Sequence, residues 1–192
     1  MKRYVFASIR MALVTMVVLG LLYPFAMTGA AQLLMPSQAN GSLVRDAGGT
    51  VVGSSLIGQR FTDPKYFHGR PSAAGVDGYD ATASGASNLA PTSKALVDAV
   101  ASRVATAVAE NPGLSAGTVP VDMVTASGSG LDPDISVANA YAQVARVASA
   151  RGTSPAAVRA LVDSTATGRQ FGVLGEPRVN VLRLNLALDA AK

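Results

Sequence analysis

His68 is the only histidine in this 192-residue chain, and cysteine is absent. Those two counts remove much of the chemistry a small protein can carry. Zinc sites draw on several imidazole or thiolate ligands, and thiol catalysis has no nucleophile here. A carboxylate-only site would suit a hard cation, and the close acidic pairs are Asp132 with Asp134 and Asp77 with Asp80. Composition leaves a Ser-His-Asp triad open, since many serines are available to His68. Its surroundings, Tyr66 to Ser72 (YFHGRPS), do not read as a nucleophile elbow, and neither a G-x-S-x-G turn nor a Walker A sequence occurs. His68 is therefore expected to be half-buried, its ring bonded to a backbone carbonyl. Arg70, next to Pro71, is expected to clamp a carboxylate or carbonyl of the fold.

Ser127-Gly128-Ser129-Gly130, followed by Leu131-Asp132-Pro133-Asp134, is the other stretch with a chemical reading. Its glycines expose backbone N–H groups that an anion such as a nucleotide phosphate could use, helped by the dipole of the next helix. A loop joining a strand to a helix, capped by Asp and Ser, would have the same composition.

These residues are positioned by a mixture of elements. Leu43-Val44 and Thr50-Val51-Val52 flank a turn-like Arg45–Gly49 and predict a hairpin. Residues 58–93 are rich in Gly, Pro, Ser, Asn and Asp, without period, and so form a long loop. Pro91-Thr92 opens a helix to Glu110, striped by Leu96, Val100, Val104 and Val108 and stopped at Asn111-Pro112-Gly113. Val119–Thr125 reads as a short strand. A second helix runs from the N-cap Ser136 to Gly152, burying Val137, Ala140, Tyr141, Val144, Val147 and Ala148. A third starts with Ser154 and Pro155, closes at Gly168 and buries Val158, Leu161 and Val162. Residues 179–189 fit strand and helix equally, since Leu182, Leu184, Leu186 and Leu188 alternate while Val181, Leu184 and Leu188 follow a helical stripe.

Ahead of all this lies an apolar run. Met11–Met35 is mostly apolar and no charge occurs between Met11 and Val44. About 20 such residues cross the hydrocarbon of a bilayer. Lys2, Arg3 and Arg10 precede it, so the positive-inside bias sets the N-terminus in the cytoplasm and the remainder outside. The rival reading is a cleaved signal ending near Thr28-Gly29-Ala30-Ala31, but the apolar run is longer than a usual signal core and continues through Leu34. Ala12, Met16, Gly20, Pro24 and Thr28 share one face, on which Gly20 admits a neighbouring backbone. Pro24 frees the Gly20 carbonyl and predicts a kink, and Thr28 is placed to bond the Pro24 carbonyl. The formal charge of +4 falls to 13 basic against 12 acidic residues once Lys2, Arg3 and Arg10 are set aside. With no basic run interleaved with aromatics, a nucleic-acid partner is not indicated. The expected organisation is α+β: a cytoplasmic tail 1–9, a transmembrane helix 10–33, and one mixed α/β extracytoplasmic domain over 34–192.

Several stretches, in order, resemble the C subunit of the Kdp potassium-transporting P-type ATPase. They are Leu22-Tyr23-Pro24, Gln38–Ser42, Leu56–Phe61 with Gly58-Gln59, Tyr66–Ala73 with Phe67-His68-Gly69-Arg70-Pro71-Ser72, and Ala83–Leu89 with Ser84-Gly85-Ala86-Ser87-Asn88. Val119–Pro133, Gln143–Ala148 with Arg146, and Gly175-Glu176-Pro177 before Val179–Asp189 complete the set. The resemblance implies a single-pass, periplasmic-domain subunit of a bacterial inner-membrane complex. Its partners would be a channel-like potassium-binding A subunit, a P-type B subunit that hydrolyses ATP, and a small hydrophobic F subunit. It implies an accessory chain with no active site or cofactor of its own, ATP and potassium being handled by those partners. Tyr23 would join the docking face of the helix, and Asp132, Gln143 and Arg146 would belong to the region following the glycine loop. The family has also been described as a catalytic chaperone for ATP binding by the B subunit, which conflicts with an extracytoplasmic domain. The alternative from the residues alone is an exported binding protein or hydrolase acting through the long loop around His68.

Overall fold

The computed structural model describes residues 1–191 and divides into two compact units, Met1–Leu43 and the chain from Val44 onward. In the first, α1 (Lys2–Val17), a π-helical turn (Val18–Leu22) and α2 (Tyr23–Leu34) are consecutive. Pro24 has no N–H to return to Gly20, and the backbone adapts by widening: the Tyr23 N–H reaches the Val18 carbonyl, five residues back. Where a kink is expected at Pro24, the helix carries a π turn just before it. The side-chain bond within this helix is made by Thr15, whose hydroxyl donates to the Met11 carbonyl at 2.6 Å. Among the described residues Thr28 makes no such bond to Pro24, which corrects that expectation. A single turn, α3 (Pro36–Ala39), follows.

The expected hairpin follows, β1 (Leu43–Arg45) and β2 (Val51–Ser54), all of it in the second unit except Leu43. Its turn is closed by Asp46, whose Oδ1 accepts from the Gly48 and Thr50 N–H groups at 2.9 Å. The long loop leads to α4 (Lys94–Glu110), which starts at Lys94 rather than at Thr92. The stripe Leu96, Val100, Val104 and Val108 is half-buried, and Ala107 is the residue of α4 that is fully covered.

The strand expected at Val119–Thr125 is instead a short helix, α5 (Val121–Val124). Pro120 has no N–H for a ladder, its carbonyl accepts from Met123, and Val121 accepts from Thr125. The sheet forms elsewhere: β3 (Asp134–Ser136) pairs antiparallel with β4 (Arg178–Asn180), Ile135 opposite Val179. Each strand runs straight into a helix, β3 into α6 (Val137–Arg151) and β4 into α8 (Val181–Ala190). Residues 179–189 are therefore strand for two residues and helix thereafter, the Asn180 side chain capping the switch by accepting from Arg183 N–H at 3.1 Å. Ser136 caps α6 and Gly152 ends it in the left-handed region, as expected. Between them α7 (Pro155–Thr165) stops short of Gly168, because Ala166 turns extended and Thr167 pairs with Arg178 at 2.8 and 3.0 Å. The core is built where α6, α7 and α8 meet the β3–β4 pair, on Phe67, Ile135, Val147, Val158, Val162, Val179 and Leu184, each at most 2 % exposed.

Candidate functional site

The long loop is attached to the helices by side-chain amides. Phe67 is fully buried, and its N–H and carbonyl are both taken by the Asn185 amide of α8, at 2.8 and 3.0 Å. The Gln143 amide of α6 does the same for His68, at 2.8 and 3.1 Å, and also donates to Asn139 Oδ1. Two successive loop residues are thus paired as if in a sheet, but by side chains.

Arg146, one turn beyond Gln143, is buried. Its Nε donates to Asn111 Oδ1 at 3.1 Å, Nη1 to the Pro64 and Tyr66 carbonyls at 2.7 and 3.0 Å, and Nη2 to Gln143 Oε1 at 2.6 Å. The His68 ring is half-buried, its Nε2 3.2 Å from the Asp63 carbonyl and 3.4 Å from Arg146 Nη1. Its Nδ1 lies 3.9 Å from Glu110. Burial first, and then the Arg146 charge, hold the imidazole below its ordinary pKa. Carbonyl, guanidinium and carboxylate surround this ring, and among the described residues no serine hydroxyl bonds to it.

Arg70 clamps a carboxylate, as its sequence context suggests: Nη1 lies 2.9 Å from Asp132 Oδ2. Tyr79 donates its hydroxyl to the Arg70 carbonyl, and burial pushes that phenol up to about 12. The motif stretches Gly58, Arg70–Ser72 and Ser84–Gly85 converge on residues 127–132. Gly58 N–H donates to Leu131 O, Ser72 Oγ to Gly130 O, Gly85 N–H and Ser84 Oγ to Ser129 O, and Ser127 N–H to Pro71 O. A side chain at Gly130, where φ is +69°, would meet Gly85 O at 2.7 Å, and one at Gly58 would meet Asp132 O at 2.5 Å. Gln59 reaches back to Val52 O at 2.8 Å. Ser87 and Asn88 are exposed beyond this junction.

The loop Ser127–Gly130, read from its sequence as an anion cradle, directs several of its donors into the fold. The N–H groups of Ser127, Gly130 and Leu131 bond within the protein. The N-terminus of α6 is already occupied by the chain's own Asp122, which accepts from Ser136 N–H and Oγ at 2.7 and 2.9 Å. The two acidic neighbours are also engaged, Asp132 with Arg70 and Asp134 with Arg178 at 2.9 Å.

Beside this junction lies a cleft of about 380 Å³, lined among others by Arg60, His68, Arg70, Arg103, Glu110 and Arg146. Of its arginines, Arg70 alone has a carboxylate within ion-pair distance among the described residues. Arg60 donates to Asp77 O and Arg103 to Val124 O. Sequence reading did not single out Arg103 and Glu110. The signal available was Arg103 set beside the apolar stripe of α4, four residues before the covered Ala107. On the apolar helix, Ala12, Met16, Gly20, Tyr23, Pro24 and Thr28 are all exposed within the chain, and a side chain at Gly20 would meet nothing within 4 Å.

A 33-residue helix, Lys2–Leu34, long and apolar enough to cross a bilayer and with no buried residue, precedes a folded α+β unit. That defines the class: a small α+β protein carrying an N-terminal helix suited to a membrane. A family model described as KdpC, the c chain of K+-transporting ATPase, matches residues 5–190. The chain belongs to this family. It is 64 % identical over 171 residues to the potassium-transporting ATPase KdpC subunit of Gemmatimonas aurantiaca, covering 89 % of this chain and 84 % of that one. To the KdpC subunit of Caulobacter vibrioides it is 56 % identical, covering 96 % and 93 % of the two chains. To that of Koribacter versatilis it is 52 % identical over the whole chain and 97 % of the relative.

Proposed function

We propose that this chain is an accessory subunit of an ATP-driven potassium importer in a bacterial inner membrane. It crosses once, with its N-terminus cytoplasmic and its folded unit periplasmic. It promotes assembly and stability of a channel-like potassium-binding A subunit, a P-type ATPase B subunit and a small F subunit, which handle potassium and ATP. The observation that carries this reading is the helix Lys2–Leu34, uncharged beyond Arg10 and with no buried residue, in a chain matched to the family over residues 5–190. Such a surface needs lipid or another helix around it, and Gly20 leaves room for a neighbouring backbone. A tagged chain solubilised from membranes in mild detergent is expected to bring down the channel-like and P-type subunits. Recovery of neither would defeat the proposal. Gly20→Leu is expected to lower that recovery, and an unchanged yield would count against docking through this face.

A second reading, nucleotide contact in support of ATP binding by the P-type subunit, is favoured by one observation, the arginine-lined cleft. Its guanidinium groups would suit a phosphate. A cysteine placed at exposed Ser129, in a chain otherwise without cysteine, reports which side of the membrane the unit occupies. Labelling by an impermeant maleimide from outside intact cells would exclude cytoplasmic ATP as the ligand.

A further inference from the structure

Between α7 and β4 the chain leaves the core and returns through a narrow stem. Its first rung is the Thr167–Arg178 bridge, its second an ion pair of Arg169 with Glu176 at 2.6 Å, its third the Gln170–Leu174 bridge. The tip is tied further, Gly172 N–H donating to Arg169 O and Val173 N–H to Gln170 O. Three large apolar side chains stand on it in water: Phe171 is 85 % exposed, Val173 71 % and Leu174 57 %. Phe171 also holds φ at +54°, in the left-handed region that a bulky residue enters at a cost. Exposure and backbone strain therefore coincide at one residue, on a turn that its own hydrogen bonds hold in shape. Neither feature serves the core, from which the tip is separated by the stem.

We propose that this turn is a preformed anchor, with Phe171 as its central side chain flanked by Val173 and Leu174, that inserts into an apolar socket on another protein subunit of the transporter. The inference rests on the subunit reading above. A protein socket is favoured over a lipid surface by charge. The basic residue nearest the tip, Arg169, is neutralised by Glu176, so the turn offers no free cation to anionic headgroups, which amphipathic membrane-binding segments ordinarily use. It is favoured also by rigidity, because a turn fixed in its bound shape loses little freedom on docking. Aromatic residues in well-packed pockets carry a large share of interface energy.

Phe171→Gly removes the side chain and the strain together, so the thermal midpoint of the full chain in detergent should stay the same or rise. Co-purification of the channel-like and P-type subunits with that variant should fall by about tenfold or more, the loss expected of an interface anchor. Val76→Ala, at a comparably exposed site, should leave recovery unchanged. If wild type brings the partners down and Phe171→Gly and Phe171→Asp do so equally well, this inference alone is overturned. If wild type brings down no partner, the subunit reading fails and the anchor with it. A lipid occupant is tested with Phe171→Trp, the sole tryptophan of the chain. Reconstituted without partners in vesicles of phosphatidylethanolamine and phosphatidylglycerol, its emission should remain that of a water-exposed indole. A blue shift there would overturn the protein socket in favour of the bilayer.

Discussion

Arg146 shows how a buried cation can be held without a carboxylate in contact. Four acceptors from three places in the chain, at Pro64, Tyr66, Asn111 and Gln143, meet on one guanidinium. Removing it leaves the buried Asn111 Oδ1 without this donor, while Gln143 Oε1 keeps the His68 N–H and the Pro64 and Tyr66 carbonyls are only part-buried. An orphaned buried group costs about 1–3 kcal/mol. Arg146→Met should therefore lower the unfolding free energy by roughly 2–4 kcal/mol, read from urea denaturation of the chain in detergent. A loss no larger than an ordinary surface substitution would mean that the loop stays in place without it. His68 leads to a pH dependence. Because burial and Arg146 hold its folded pKa below the ordinary 6.5, the unfolded chain takes up a proton first as the solution is acidified. The stability contributed by the neutral ring is complete above about pH 6.5 and drains away as pH falls through the lower folded value. The thermal midpoint should drop on acidification below pH 6.5, and in His68→Phe that slope should be shallower. Identical slopes would show that other groups control the acid limb.

At the scale of elements, glycine separates true helix ends from apparent ones. Gly152 closes α6 at φ +64°, and an added Cβ there would touch nothing within 4 Å. Gly152→Ala should thus cost about 1–2 kcal/mol from backbone conformation alone, while Gly168→Ala, with neither positive φ nor a close neighbour, should be nearly neutral. Equal midpoints for the two variants would contradict the boundary drawn at Thr165. The helices α4, α6 and α7 were legible because a stripe of apolar residues and a cap agree on each. The short elements were not. Val119–Thr125 carries strand-forming residues, yet it became α5 because Pro120 has no ladder donor and Asp122 is committed to the end of α6. In residues 179–189 the alternating leucines hid a helix whose buried face includes Asn185, a polar side chain that earns its place by pairing with Phe67. Likewise Gln143 and Arg146 entered through family resemblance, since nothing in their own spacing announces partners 75 to 82 residues away. For His68 and Arg70 the plain structural expectation was legible, because a ring beside a carbonyl and a guanidinium beside a carboxylate are local habits.

The molecule as a whole is divided by where its apolar surface goes. Every buried hydrophobic side chain among the described residues falls between Phe67 and Leu188, and none belongs to Met1–Leu43. The first unit keeps its apolar residues exposed, on a helix long and apolar enough to cross a bilayer, while the second closes a core of its own. It follows that the fold of the second unit does not depend on the helix. A chain expressed from Val44 onward should be recovered without detergent and unfold in one cooperative transition. Its midpoint should lie within a few degrees of that of the full chain in detergent, since a degree corresponds to only about 0.2–0.5 kcal/mol for a domain of this size. It should also fail to sediment with membranes. A truncated chain that aggregates, or that melts without cooperativity while the full chain melts sharply, would show that residues 1–43 complete the core. The helix would then be a folding element as well as a candidate membrane span.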